Sequence, residues 1–124
     1  MATRPVTVTK INDNTVKFAW DTLTTTNADG TPIGPNWDDY ADRTVQVVGT
    51  FGSGGNLRVE GSLDESVYAA LNDPGLNALN IGAAAVKSIL ENTLLTRPNV
   101  TAGDGATDLD VTIIARRSRS GQEI

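Results

Sequence analysis

Between Thr44 and Glu60 the chain alternates apolar and polar residues twice, with a run of glycines in between. Thr44-Val45-Gln46-Val47-Val48-Gly49-Thr50-Phe51 leads into Gly52-Ser53-Gly54-Gly55, and Asn56-Leu57-Arg58-Val59-Glu60 follows. A period of two is the pattern of a strand with one buried face, and glycine tolerates the positive φ of a tight turn. The two runs are therefore expected to pair as a β-hairpin. A phosphate-binding loop would require a helix directly after the glycines. Leu57, Arg58 and Val59 alternate as a strand instead.

The same reading extends along the chain. Val6–Ile11 and Val16–Trp20 alternate on either side of the turn residues Asn12-Asp13-Asn14, which predicts another hairpin. The stretch 22–37 is rich in Thr, Asn, Gly and Pro and reads as a long loop, expected to serve as a contact arm. Val67–Leu71 and Ala78–Ile81 are short apolar segments around an Asn72-Asp73-Pro74-Gly75 turn. In Ala83–Glu91, Val86, Ile89 and Leu90 fall at helical spacing, so a short helical turn fits locally. Tertiary pairing in a β chain can override that preference, and a strand over Val86–Leu90 is the favoured of the two. Leu94–Thr101 is extended, with Pro98 restricting it to an edge or a bulge. Leu109, Val111 and Ile113 make the clearest strand. Seven or eight short strands predict an all-β fold, an antiparallel β-sandwich or jelly roll. One domain over 1–124 is expected, with an N-terminal arm (1–5), the long loop (22–37) and a polar tail (116–124).

Residue types restrict the chemistry. The chain has no histidine and no cysteine, which removes Ser-His-Asp catalysis and the usual zinc sites. No enzymatic activity and no cofactor are expected. A net charge of -5 disfavours nucleic acid as a partner. No apolar run reaches the ~20 residues of a membrane span, and the opening Met-Ala-Thr-Arg-Pro-Val lacks the apolar stretch of a signal peptide. Synthesis in the cytoplasm is therefore expected. Asp104, Asp108 and Asp110, and likewise Asp29, Asp38 and Asp39, lie in turns but lack the spacing of a helix-loop-helix calcium site. They read as solvated turn acids, with a structural calcium ion as the alternative and no metal site assigned. Trp20 and Trp37 read as packing residues, with Trp37 alternatively an anchor for a neighbouring subunit. Arg116, Arg117 and Arg119 form the one basic cluster.

Several of these segments together resemble a family of small head proteins of tailed phages, described as decoration, cement or capsid-stabilising proteins. The residues are Val47-Val48-Gly49-Thr50-Phe51-Gly52, Leu57-Arg58-Val59-Glu60-Gly61-Ser62, Asp73-Pro74-Gly75-Leu76-Asn77-Ala78-Leu79, Arg97-Pro98-Asn99-Val100-Thr101-Ala102-Gly103-Asp104-Gly105 and Leu109-Asp110-Val111-Thr112. The resemblance covers about residues 44–115. It departs at Leu63–Tyr68, where the family pattern has Asn-Asp-Gly before a Trp and Tyr68 takes the aromatic's place. It implies a jelly roll on the virion surface that binds the major capsid protein and further copies of itself, as a dimer or trimer. The contacts are then expected in the arm, the loop and the tail, at Arg4, Pro5, Thr25, Asn27, Ile33, Trp37, Arg116, Arg117 and Arg119. The Glu-Gly-Ser pattern also resembles discoidin-like jelly rolls. That alternative implies a carbohydrate- or host-surface-binding module with Trp37, Asp39 and Tyr40 at its site. A tail or head-completion component is the third reading.

Overall fold

The computed structural model describes residues 3–37 and 39–117. Nine strands are present among them: β1 (Thr7–Asn12), β2 (Thr15–Leu23), β3 (Asp42–Thr50), β4 (Asn56–Ser62), β5 (Ala69–Ala70), β6 (Asn80–Ile81), β7 (Ala85–Ile89), β8 (Leu95–Ala102) and β9 (Asp108–Arg116). One 3-10 turn spans Pro35–Trp37. The strands form two antiparallel sheets. One has the order β1-β2-β9-β3-β7, and in the other β4 pairs with β5 and β6 on one side and β8 on the other. The chain is an all-β sandwich.

The alternation places the core. Val16, Phe18 and Trp20 of β2, Val45 and Val47 of β3, and Leu109, Val111 and Ile113 of β9 are buried from one sheet. Leu57 and Val59 of β4, Ile81 of β6 and Val100 of β8 meet them from the other. The first hairpin forms as expected, with Val8 across from Phe18. Its turn is closed by the Asn14 N–H, which donates to Asn12 Oδ1. β9 lies at the centre of its sheet, between β2 and β3.

The expected hairpin over Thr44–Arg58 does not form. β3 and β4 belong to different sheets, and Phe51–Gly55 is an arch that carries the chain from one to the other. The alternation of Val45 and Val47, and of Leu57 and Val59, is equally satisfied when the two strands face each other across the core. Long-range pairing decides between the arrangements: β3 is hydrogen-bonded to β9 over Asp42–Thr50, and β4 to β8. The glycines are still required: Gly52 has φ 72° and Gly54 φ 68° in the arch, and in β3 Gly49 has φ 122°, where a Cβ would sit 2.4 Å from the Asp108 carbonyl oxygen. A second arch, from β8 to β9, packs on the first. The Thr107 hydroxyl donates to the Phe51 carbonyl, and Asp104 accepts from the Ser53 N–H.

The 22–37 segment is not a free arm. After a turn closed by Thr24, whose N–H donates to Asn27 O, it runs beside β8 as an irregular extra strand. Val100 N–H donates to Ala28 O, Gly30 N–H to Pro98 O and Ile33 N–H to Thr96 O. The Pro98 carbonyl thus faces this irregular edge, so its missing N–H costs β4 no hydrogen bond, as the edge expectation requires. The N-terminal arm adds to the same edge, with Arg4 N–H donating to Asp29 O and Thr31 N–H to Arg4 O. Residues 85–89 form strand β7 on β3, so pairing overrides the local helical spacing there. The apolar segments at 67–71 and 78–81 shorten to the two-residue strands β5 and β6.

Candidate interaction surfaces

The expected contact residues do not gather into one patch. Arg4 is half-buried, and its Nε donates to the Asp21 carbonyl. Pro5 beside it is exposed. Thr25 and Asn27 lie in the tight turn after β2, at the arch end of the sandwich. Ile33 is a correction: at 1% exposure it is a core residue, because its backbone pairs with Thr96 and turns the side chain inward. Trp37 lies near the opposite end, edge-on to Phe18 (5.5 Å between ring centroids) and Tyr40 (5.4 Å). Arg116 ends β9 and is exposed, and Arg117 follows with its guanidinium 5.0 Å from the Tyr40 ring centroid. Arg119 lies outside the described residues, as does Asp38 of the second acidic group.

Beneath Trp37 and Tyr40 lies Arg43, buried although charged. Its Nε donates to the Tyr40 carbonyl, one Nη to the Trp37 carbonyl and the other to the Thr96 hydroxyl. This side chain ties Trp37 and Tyr40 to both sheets.

The alternation of Arg58, Val59 and Glu60 places a charged group on the outer face of the smaller sheet. Glu60 is 1% exposed. Arg58 and Asn99 donate to one of its oxygens, and Arg97 donates to the other. Arg97 also pairs with Asp29 at 3.2 Å and stacks 3.7 Å from the centroid of Tyr68. Burial alone would raise the Glu60 pKa, but the hydrogen bonds from Asn99, Arg58 and Arg97 outweigh it and lower the pKa. Burial raises that of Tyr68. A carboxylate held by so many donors is not a free base. Its role is to tie β4, β8 and the Asp29 segment together. Residue reading missed this group, although outward polar residues on both Arg58–Glu60 and Arg97–Asn99 were its visible signal.

At the end of the sandwich away from the arches, the loop after β4 is held by its own side chains. Asp64 Oδ1 accepts from the Val67 and Ser66 N–H groups, and Ser62 Oγ accepts from those of Asp64 and Glu65. These bonds hold Glu65 at φ 68°, a left-handed conformation rare for its type. They also lower the Asp64 pKa from 3.8 to about 2. From this fixed backbone project Leu63 at 73% exposure and Val67 at 69%, with exposed Leu94 on the loop before β8. Leu94 precedes Leu95, the partner of Ser62 in the β4–β8 ladder, so both loops leave the sheet at this end. These apolar residues were not among the expected contacts.

The turn acids act as backbone clamps. Asp104 accepts from the Ser53 and Ala106 N–H groups, Asp73 from those of Asn77 and Gly75, and Asp110 from that of Thr22. Among the described residues no three acids are grouped to hold a metal ion, and no helix is long and apolar enough to cross a membrane.

These carboxylates set the pH response. The pKa values of Asp104 (by the Ser53 N–H first), Asp73 (by the Asn77 N–H first) and Asp64 are lowered. In Glu91 burial opposes, but the bonds from Asn72 prevail, so its pKa falls as does that of Glu60. A lowered folded-state pKa contributes stability in full above the unfolded value and loses it as pH falls through the folded one. The melting temperature is therefore expected to be level at roughly pH 5–8 and to fall steadily below about pH 4. Glu60→Gln should flatten that acid limb. An equal melting temperature at pH 3 and pH 6 would contradict the assignment.

Comparison of the chain with protein families, with curated proteins and with solved structures finds no match.

Proposed function

We propose that this chain is a structural virion protein that binds the lattice of a phage capsid and reinforces it. The motif resemblance at 47–62, 73–79 and 97–112 raises this reading, and one observation carries it. Exposed apolar side chains, Leu63 and Val67, project from a loop whose backbone is already fixed by Ser62 and Asp64. A preorganised apolar tip loses little conformational freedom when it docks, which suits a module whose task is to hold subunits together. The small domain then acts mechanically, adding buried area between capsid subunits that would otherwise separate. The direct test is the location of the chain in purified particles. Lattice stoichiometry is the expected result, and absence from the particles overturns the reading. On particles stripped of this protein, the Leu63→Asp/Val67→Asp pair should rebind roughly 1,000-fold more weakly, since each side chain then loses the ~2 kcal/mol of a hot spot. Its melting temperature should stay near that of the parent, because both side chains are exposed. The carbohydrate reading is less supported, since Trp37 packs edge-on against Phe18 and Tyr40 and Arg97 covers Tyr68.

A further inference from the structure

The outer face of the five-stranded sheet has a charge order that is complementary to itself. In β9 the residues alternating with the core run Asp108, Asp110, Thr112, Ile114, Arg116, acidic at one end, neutral in the middle and basic at the other. β2 runs antiparallel beside it and repeats the order. Lys17 lies across from Ile114 and Ala19 across from Thr112, while Asp21 and Thr22 bulge opposite Asp110. β3 adds uncharged Thr44 and Gln46 next to Ile114 and Thr112, and Asp42 beside Arg116 only partly offsets the basic end.

We propose that this face binds a second copy of the chain. The copies stack face to face about a two-fold axis that lies in the interface and crosses the strands near Thr112. Such an axis reverses strand direction between the copies, so the acidic end of each lies over the basic end of the other. Arg116 then faces Asp108 and Asp110 of the second copy. Neutral Ala19, Gln46 and Thr112 at the centre match the depletion of charge in interface cores. The area is also suitable. Five strands about 4.8 Å apart and up to nine residues long cover roughly 600 Å² in plan, near the ~800 Å² per partner of a stable interface.

The free sheet edges do not suit self-association. Lys10 on β1 pairs with core residue Val16, and Lys87 on β7 with core residue Val45, so both lysines are on the inner side of edge strands. Inward-pointing charges of this kind block strand addition. The proposal concerns the isolated chain in solution and does not depend on the lattice reading.

Sedimentation equilibrium on the purified chain tests it. A concentration-dependent dimer is expected, weakened by added salt. Thr112→Lys places two lysines at the axis and should weaken association at least tenfold, with a melting temperature matching the parent's at concentrations where both are monomeric. Arg116→Glu and Asp108→Arg should each weaken it alone. Mixed together they should associate again, because each heterodimer contact then joins opposite charges. A parent chain that stays monomeric up to about 100 µM overturns the proposal. So does a dimer indifferent to Thr112→Lys, or a mixture that does not recover. Protection of this face in particles formed by a monomeric chain would assign it to a different protein, and likewise overturns it.

Discussion

Arg43→Met is expected to unfold the chain far more easily than its position in an ordinary strand suggests. The methionine fills much of the arginine's volume but donates no hydrogen bond. The Tyr40 carbonyl then loses its donor, while the Trp37 carbonyl keeps the Tyr40 N–H and the Thr96 hydroxyl keeps its bond to the Thr93 hydroxyl. Three hydrogen bonds from a charged donor are lost and one buried carbonyl is left unpaired, so a total of about 3–5 kcal/mol is expected after relaxation. That is a large part of a typical domain stability of 5–15 kcal/mol. Arg43→Lys keeps the charge but not the planar fork, and should recover only part of the loss. Urea unfolding at neutral pH measures both. A loss under about 1 kcal/mol for Arg43→Met would mean that Trp37 and Tyr40 are held by their aromatic packing and not by this side chain.

Trp20→Ala is the second large effect, with about 3–5 kcal/mol expected for an aromatic removed from a packed core. Trp20 is fully buried, and its indole N–H donates to the Thr31 carbonyl at 2.9 Å. Its ring also lies against Gly30, where an added Cβ would be 2.3 Å from Cδ1. The side chain therefore seats the 28–33 segment on the sandwich. Trp20→Phe separates the two contributions: most of the packing remains, the hydrogen bond is lost, and a cost of about 1–2 kcal/mol is expected. Thermal unfolding followed by hydrogen exchange at Gly30 and Ile33 reads both effects. If Trp20→Ala left those amides as protected as in the parent, the indole would not be what holds the segment.

These two side chains show how far residue reading reached. Trp20 was legible as a packing residue, because it alternates with Phe18 and Val16 in a strand. Arg43 was not, since an arginine at a strand start carries no local mark of burial. The candidate surfaces divide in the same way. Arg116 and Arg117 are identified by charge alone, but Leu63 and Val67 follow a segment whose alternation has already ended. The side-chain clamps of Ser62 and Asp64 give that loop its fixed shape. Ile33 was misplaced because a polar, proline-rich stretch looks like a solvated loop whether or not its backbone is paired.

The residues by themselves determined that this chain is all-β, where most strands lie, which side of each is apolar, and that no histidine or cysteine chemistry is available. Those properties depend on neighbours one or two positions away. Which strands pair was decided only in the tertiary structure. The glycine turn after Phe51 links two alternating runs equally well as a hairpin or as an arch between sheets. The long ladder of β3 with β9, and that of β4 with β8, selected the arch. The outer-face charge order and the Glu60 group have the same origin, because register between distant strands brings together residues that no local pattern relates.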